Sequence, residues 1–94
     1  MTKMIPITIR VSRSVPEVVW RAVIEDLGRL QKRAMGLAIA TDWKCTYRHA
    51  KGTFNVAQND RLFLIWADND RKEFIDTYVR IEATADVVFP KNLN

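Results

Sequence analysis

The feature that most constrains the fold is a long amphipathic segment that runs from roughly Val15 to Ala40. At about 100° per residue, its apolar side chains fall on one stripe and its charged side chains on the opposite side, which predicts a helix with one buried face. The stripe consists of Val19, Trp20, Val23, Leu27, Leu30, Ala34, Leu37 and Ala38. Ser14 and Glu17 have the spacing of a capping box, which predicts the start of the helix. A helix with one apolar stripe needs a second layer to pack against.

That second layer is predicted to be a sheet. Residues 5–11 and 43–47 alternate between apolar and polar side chains, so each stretch indicates a strand with one buried face. The run 62–67 is apolar throughout, which predicts a strand that is central in the sheet or covered on both sides. A further strand is predicted from about Tyr78 to Phe89, whereas the polar residues 55–60 are predicted to be a loop. Residues 71–78 fit either a helix or a strand.

Together these elements predict an α+β fold in the order β-α-β-β-β, with the helix packed on a mostly antiparallel sheet of about four strands. The chain has 94 residues, which suits a single domain over residues 1–94 with a frayed tail from about residue 90. Gly28 and Gly36 interrupt the helix. They either weaken it or permit another backbone to approach closely.

Charge is distributed unevenly along the chain, whose formal net charge is +4. Residues 1–51 carry ten basic and four acidic side chains, and residues 52–94 carry five basic and seven acidic ones. This polarity suits an anionic partner for the first half, and it equally suits contact between the unlike halves of two copies.

Strand alternation predicts which charges share a surface. If odd-numbered strand residues face the helix, the other sheet face presents Thr8, Arg10, Lys44, Thr46, Arg48, Tyr78, Arg80 and Glu82. Several folds bind single-stranded nucleic acid on basic sheet faces with interleaved aromatic rings. Nucleic-acid contacts are therefore predicted for Arg10, Lys44, Arg48 and Arg80, and for a second group at the helix end formed by Lys32 and Arg33.

Self-association is the other use predicted for this face. Phe63, Ile65 and Tyr78 are expected to form an apolar patch on it that a second copy of the chain covers, which makes the protein a homo-oligomer. Two alternatives stay open. One is a protein-binding adaptor or inhibitor, such as a phage or mobile-element protein that blocks a host factor through its acidic segment 68–76 or an apolar patch. The other is a small ribonuclease toxin that uses His49 with Arg48 and Tyr47.

No motif in the sequence specifies a reaction. Glycine-rich phosphate loops, His/Cys metal spacings and Gly-x-Ser-x-Gly elbows are absent from the sequence. We therefore predict a non-enzymatic binding module with no cofactor, no metal site and no catalytic residue. Cys45 is the only cysteine, the longest apolar run is Leu62–Ala67, and the N-terminus lacks an apolar signal region. These features predict a reducing cytoplasm, of the cell or of an infected host, and no membrane contact.

Overall fold

The computed structural model describes residues 4–35, 42–68 and 78–89. Within these ranges its elements are β1 (Ile5–Ser12), α1 (Glu17–Met35), β2 (Asp42–His49), β3 (Gly52–Asn59), β4 (Leu62–Ala67) and β5 (Tyr78–Ala85). The described strands form one mixed sheet in the order β2-β3-β4-β1-β5, and α1 packs on one of its faces. β1 and β4 are parallel, and the three other pairings are antiparallel. The predicted α+β class is confirmed.

The sheet contains one strand more than predicted, because β3 covers residues 52–59 and so includes most of the segment 55–60 that was predicted to be a loop. Phe54, Val56 and Gln58 alternate toward the helix and are all buried. The amide of Gln58 breaks the apolar pattern, yet it accepts hydrogen bonds from Trp43 Nε1 and Gln31 Nε2, so its burial leaves that oxygen satisfied. β4 lies in the middle of the sheet, which confirms the central position predicted for this uniformly apolar strand, whereas Leu62, Leu64 and Trp66 on the side away from the helix are only half-buried.

The helix begins at Glu17, so the predicted capping box is wrong. The carbonyl of Pro16 accepts the first helical hydrogen bonds, and Ser14 lies before the helix with its hydroxyl 3.0 Å from that of Ser12. The carboxylate of Glu17 accepts a hydrogen bond from Arg21, one turn along the helix, at 2.6 Å. The predicted continuation to Ala40, including Gly36, lies outside the described residues, as does the ambiguous segment up to residue 77.

The core lies between α1 and the sheet. It takes Val19, Val23, Leu27 and Leu30 from the helix, whereas Ala34, predicted for the same stripe, is exposed. The predicted last strand is four residues too long, because the chain leaves the sheet after Ala85 and residues 86–89 close one end of the core. No helix in the described ranges is both long and apolar enough to cross a bilayer.

Gly28 confirms the second of its two interpretations, a close backbone approach. A Cβ atom at this position would lie 2.0 Å from the carbonyl oxygen of Asp86, in the segment that follows β5. The helix can therefore pack against this segment only because residue 28 has no side chain.

Candidate nucleic-acid interface

The sheet face opposite α1, here called the open face, carries the residues that strand alternation predicted for it. The pairing registers place Thr8, Arg10, Lys44, Thr46, Arg48, Tyr78, Arg80 and Glu82 on this face. The four cations among them, all exposed, come from β1, β2 and β5, so the fold brings together charges that lie far apart in sequence.

The prediction that Phe63 and Ile65 lie on the open face is wrong. Both side chains have zero exposure, because Phe63 pairs with Ile9 and Ile65 with Val11, which point toward the helix. Neither can contact a second copy of the folded chain. Of the predicted self-association residues, only Tyr78 lies on the open face, where the apolar positions of β4 are Leu62, Leu64 and Trp66. When a strand is apolar on both sides, its sequence does not show which alternate residues face the helix. For β4, only the pairing register with β1 decides this.

Two transverse rows of side chains cross the open face. The cation row contains Arg80, Arg10, Leu64, Ala57 and Lys44, which lie opposite one another on β5, β1, β4, β3 and β2. The aromatic row lies one pleat further along and contains Tyr78, Ser12, Trp66, Asn55 and Thr46, of which Ser12 and Asn55 are buried and the two rings are half-buried. Each row crosses all five described strands, a span of about 19 Å between the outer strands.

Two cation–π contacts connect the rows. The guanidinium carbon of Arg10 lies 4.9 Å from the ring centroid of Tyr78, and Nζ of Lys44 lies 5.5 Å from that of Trp66. Such contacts contribute about 0.5–1 kcal/mol each at exposed sites. They fix a positive charge beside each of the two rings.

Carboxylates of the described residues lie outside both rows. Glu82 flanks the cation row, where it accepts hydrogen bonds from Arg80 Nε at 2.8 Å and from the Thr8 hydroxyl at 3.2 Å. On the far side of the aromatic row, Asp68 accepts a hydrogen bond from Asn55 at 3.1 Å. Arg10 and Arg80 are direct cross-strand partners, and the ion pair with Glu82 offsets the repulsion that two like charges have at such positions.

A cleft of about 500 Å³, here called the edge cleft, lies where α1 passes the outer strand β2. Its lining includes Arg29, Arg33, Cys45, Thr46, Tyr47 and Arg48. The structure thus brings Arg33 and Arg48 together, although the sequence pattern assigned them to separate groups. Lys32 is exposed on the last turn of the helix and does not line the cleft.

Two cleft groups have shifted pKa values. Burial, together with the hydrogen bond that Tyr47 donates to Asp26 at 3.0 Å, raises the pKa of Tyr47 to about 12. Burial also raises the pKa of the Cys45 thiol, and the positive charge of Arg33 partly opposes that rise. Burial in the cleft therefore favours the neutral forms of Tyr47 and Cys45 over their anionic forms.

The three residues of the ribonuclease alternative do not converge in the structure. His49 Nδ1 accepts a hydrogen bond from the backbone N–H of Lys51 at 3.0 Å, so the ring organises the turn between β2 and β3. Tyr47 and Arg48 line the edge cleft, and His49 does not. No group of three or more potential metal-ligating side chains occurs in the described part of the chain.

A groove of mixed character follows the other outer strand, between α1 and β5, and its polar lining consists of Arg21, Glu25, Glu82 and Thr84. Trp20, Ile24, Ile81 and Ala83 line it, and the guanidinium of Arg21 lies 5.0 Å from the Trp20 ring centroid. Neither the composition nor the hydrophobic pattern predicted this groove, because it depends on the packing of α1 along β5.

Models of known protein families, curated proteins and solved structures were compared with this chain, and none matches it.

Proposed function

We propose that this protein is a non-enzymatic module that binds single-stranded nucleic acid across the open face of its sheet. The observation that carries the proposal is the adjacency of the cation row and the aromatic row, with Arg10 beside Tyr78 and Lys44 beside Trp66. Phosphates need cations at intervals along a path, and unpaired bases need flat surfaces beside that path. The cation row supplies the charges, and the aromatic row beside it supplies the flat ring surfaces.

In this arrangement the phosphates follow the cation row and the bases lie over the aromatic row. Stacking on Trp66 and Tyr78 contributes about 1–3 kcal/mol per base. Leu64, half-buried between the cations, contacts sugars or bases without charge.

A polyanion fits this face better than a second copy of the chain. Symmetric face-to-face packing of two copies would place the cation row of one near that of the other, and this like-charge juxtaposition costs free energy. A nucleic-acid strand supplies negative charge to Arg10 and Lys44, which form no ion pair within the described residues.

The direct test is fluorescence anisotropy with a labelled single-stranded oligonucleotide at about 50 mM salt, where phosphate contacts are least screened. Trp66→Ala is expected to weaken binding about tenfold, because it removes one stacking surface. Trp20→Ala is the matched control, since its ring also carries a nearby cation but lies in the α1–β5 groove. Absence of binding by the unmodified protein, or equal losses in both variants, would contradict the proposal.

A second proposal concerns self-association. We propose that two copies associate through the edge of β5 instead of through the open face. In the described part of the chain, no strand pairs with the outer edge of β5, and the apolar side chain of Val79 on this strand is 38% exposed. Strand pairing between two copies would bury both features.

Val79→Lys is expected to halve the native mass measured by light scattering, whereas Val18→Lys, at an exposed valine of the helix, should leave it unchanged. A monomeric unmodified protein would refute this proposal, and a retained protein partner would favour the adaptor alternative.

We further propose that the module works in a reducing cytoplasm, of the cell or of an infected host. Cys45 is a free, half-buried thiol. Because burial raises its pKa, it stays in the less reactive thiol form at neutral pH.

A further inference from the structure

The edge cleft contains more positive charge than its surroundings neutralise. Arg29 forms an ion pair with Asp26 at 3.1 Å, and the same carboxylate accepts the hydrogen bond from Tyr47. Within the described residues, Arg33 and Arg48 have no ion-pair partner, and no carboxylate lines the cleft. Two unneutralised guanidinium groups therefore share one concave site.

This convergence of like charges is costly without a ligand. Arg29 and Arg33 are four residues apart on α1, and like charges at that spacing destabilise a helix. Tertiary packing adds Arg48 from β2 to the same place. Arg33 is exposed, yet its positive charge lowers the pKa of the Cys45 thiol, so its guanidinium lies within electrostatic range of this cleft residue. An anion in the cleft would remove the repulsion.

The chemistry of the site selects a phosphate. Two guanidinium forks from different elements can each offer paired N–H donors to phosphate oxygens, a geometry that arginine favours over lysine. The Thr46 hydroxyl adds a further donor from the same strand. A phosphate monoester carries about −1.5 to −2 charges at neutral pH and thus matches two cations better than a diester does.

The position of the cleft connects it with the open face. Lys44 on β2 is the last residue of the cation row, and Thr46 on β2 is the last residue of the aromatic row. Arg48 lies on the same strand, two residues beyond Thr46. Side chains from both faces of β2 line the cleft, so it wraps around the edge at which a strand crossing the sheet would leave it.

We propose that the edge cleft binds the terminal phosphate of the single strand that lies on the open face, with Arg33 and Arg48 as its principal ligands. The inference rests on the proposed function and adds an end preference to it. Nucleic acids with a terminal phosphomonoester are then preferred over strands of the same sequence that end in a hydroxyl.

The test compares three oligonucleotides of one sequence that carry a 5′-phosphate, a 3′-phosphate or hydroxyls at both ends. One terminal phosphate is expected to tighten binding to the unmodified protein about tenfold relative to the hydroxyl strand, a typical effect of added charge-assisted hydrogen bonds. In Arg33→Gln and Arg48→Gln this ratio should fall to about one. Arg21→Gln, which removes an exposed helical arginine far from the cleft, should keep the ratio.

The possible outcomes separate the two proposals. Binding of all three strands with equal affinity would overturn the terminal-phosphate site and leave the open face intact as the binding surface. A phosphate preference that survives in both cleft variants would place the phosphate elsewhere and also overturn the inference. No binding of any strand would overturn the proposed function together with it. Inorganic phosphate provides an independent probe, because it should shift the side-chain NMR signals of Arg33 and Arg48 and not those of Arg21.

Discussion

Gly28 shows how one residue decides where a whole segment can lie. Replacement by alanine would favour the isolated helix by up to about 1 kcal/mol. In the folded protein, however, the new Cβ would meet the Asp86 carbonyl oxygen at 2.0 Å, and a backbone group cannot rotate away as a side-chain end can. We expect Gly28→Ala to lower the free energy of unfolding by about 1–3 kcal/mol, measured by urea denaturation. Lys32→Ala, at an exposed position of α1, serves as the control, and any gain in stability for Gly28→Ala would contradict the packing described.

Tyr47 links stability to alkaline pH. Its pKa is raised to about 12, so the folded chain retains a proton that the unfolded chain releases near its ordinary value of 10.0. The stabilisation is complete below the unfolded pKa and is lost as pH rises through the folded pKa. We expect the free energy of unfolding to fall between about pH 10 and about pH 12, and Tyr47→Phe to reduce this decline. Tyr78→Phe is the matched control, and an unchanged decline in Tyr47→Phe would contradict the assignment.

At the scale of elements, the segment 86–89 follows β5 without pairing as a strand, and the side chain of Gln31 holds it in place. Gln31 Nε2 donates to the Val88 carbonyl at 3.0 Å, and Gln31 Oε1 accepts from the Val88 N–H at 2.8 Å. The amide therefore imitates a strand partner for a chain that has left the sheet. Through Gln58 and Trp43, the same network also connects α1 with β3 and β2.

Removal of this amide should release the segment without opening the sheet. Gln31→Met keeps the volume of the side chain but leaves buried polar groups unsatisfied, at a cost of about 1–3 kcal/mol. We expect faster hydrogen exchange at the Val88 amide, with exchange in β1 and β4 changed only in proportion to the global loss of stability. Lys32→Met, at the next residue, is the control. Protection at Val88 equal to that of the unmodified protein would show that the segment is held by other contacts.

Sequence patterns predicted those elements whose side chains obey one period. β1 and β2 alternate regularly, and the buried stripe of α1 was identified correctly through Leu30. β3 was missed because its core-facing Gln58 is polar, and only the partners Gln31 and Trp43, distant in sequence, make that burial favourable. The capping box was wrong because a local spacing does not fix the residue at which the backbone turns.

The site was predictable to the extent that it depends on alternation. Arg10, Lys44, Arg48 and Arg80 share the open face, as even-numbered positions of regular strands should. Trp66 was not assigned to the open face, because β4 is apolar on both sides. Only the register with β1 decides which of its residues face away from the helix. The edge cleft could not be predicted, because the approach of Arg33 to Arg48 depends on how α1 packs beside β2.

At the scale of the whole molecule, the division into a basic first half and an acidic second half does not correspond to two surfaces. The cation row takes Arg10 and Lys44 from the first half and Arg80 from the second. The carboxylates Glu82 and Asp68 lie on either side of the two rows. Within the described residues, charge is thus sorted across the sheet instead of along the sequence, and Glu82 and Asp68 border the path that a strand following the rows would take.

This arrangement determines how binding depends on salt. Each phosphate contact with a single strand contributes about −0.7 to the slope of log affinity against log salt, so four contacts with Arg10, Lys44, Arg48 and Arg80 predict a slope of about −3. Arg10→Gln should make the slope shallower by about 0.7, because it removes one contact from the middle of the cation row. Arg61→Gln is the matched control: its guanidinium lies 4.7 Å from the Phe89 ring centroid, and Phe89 packs against the core residue Phe63 on the helix side of the sheet. The measurement is the dissociation constant of one oligonucleotide across a salt series for the three proteins. Equal slopes for all three would mean that the phosphates do not follow the cation row, whereas a change confined to Arg10→Gln would establish its path across β1.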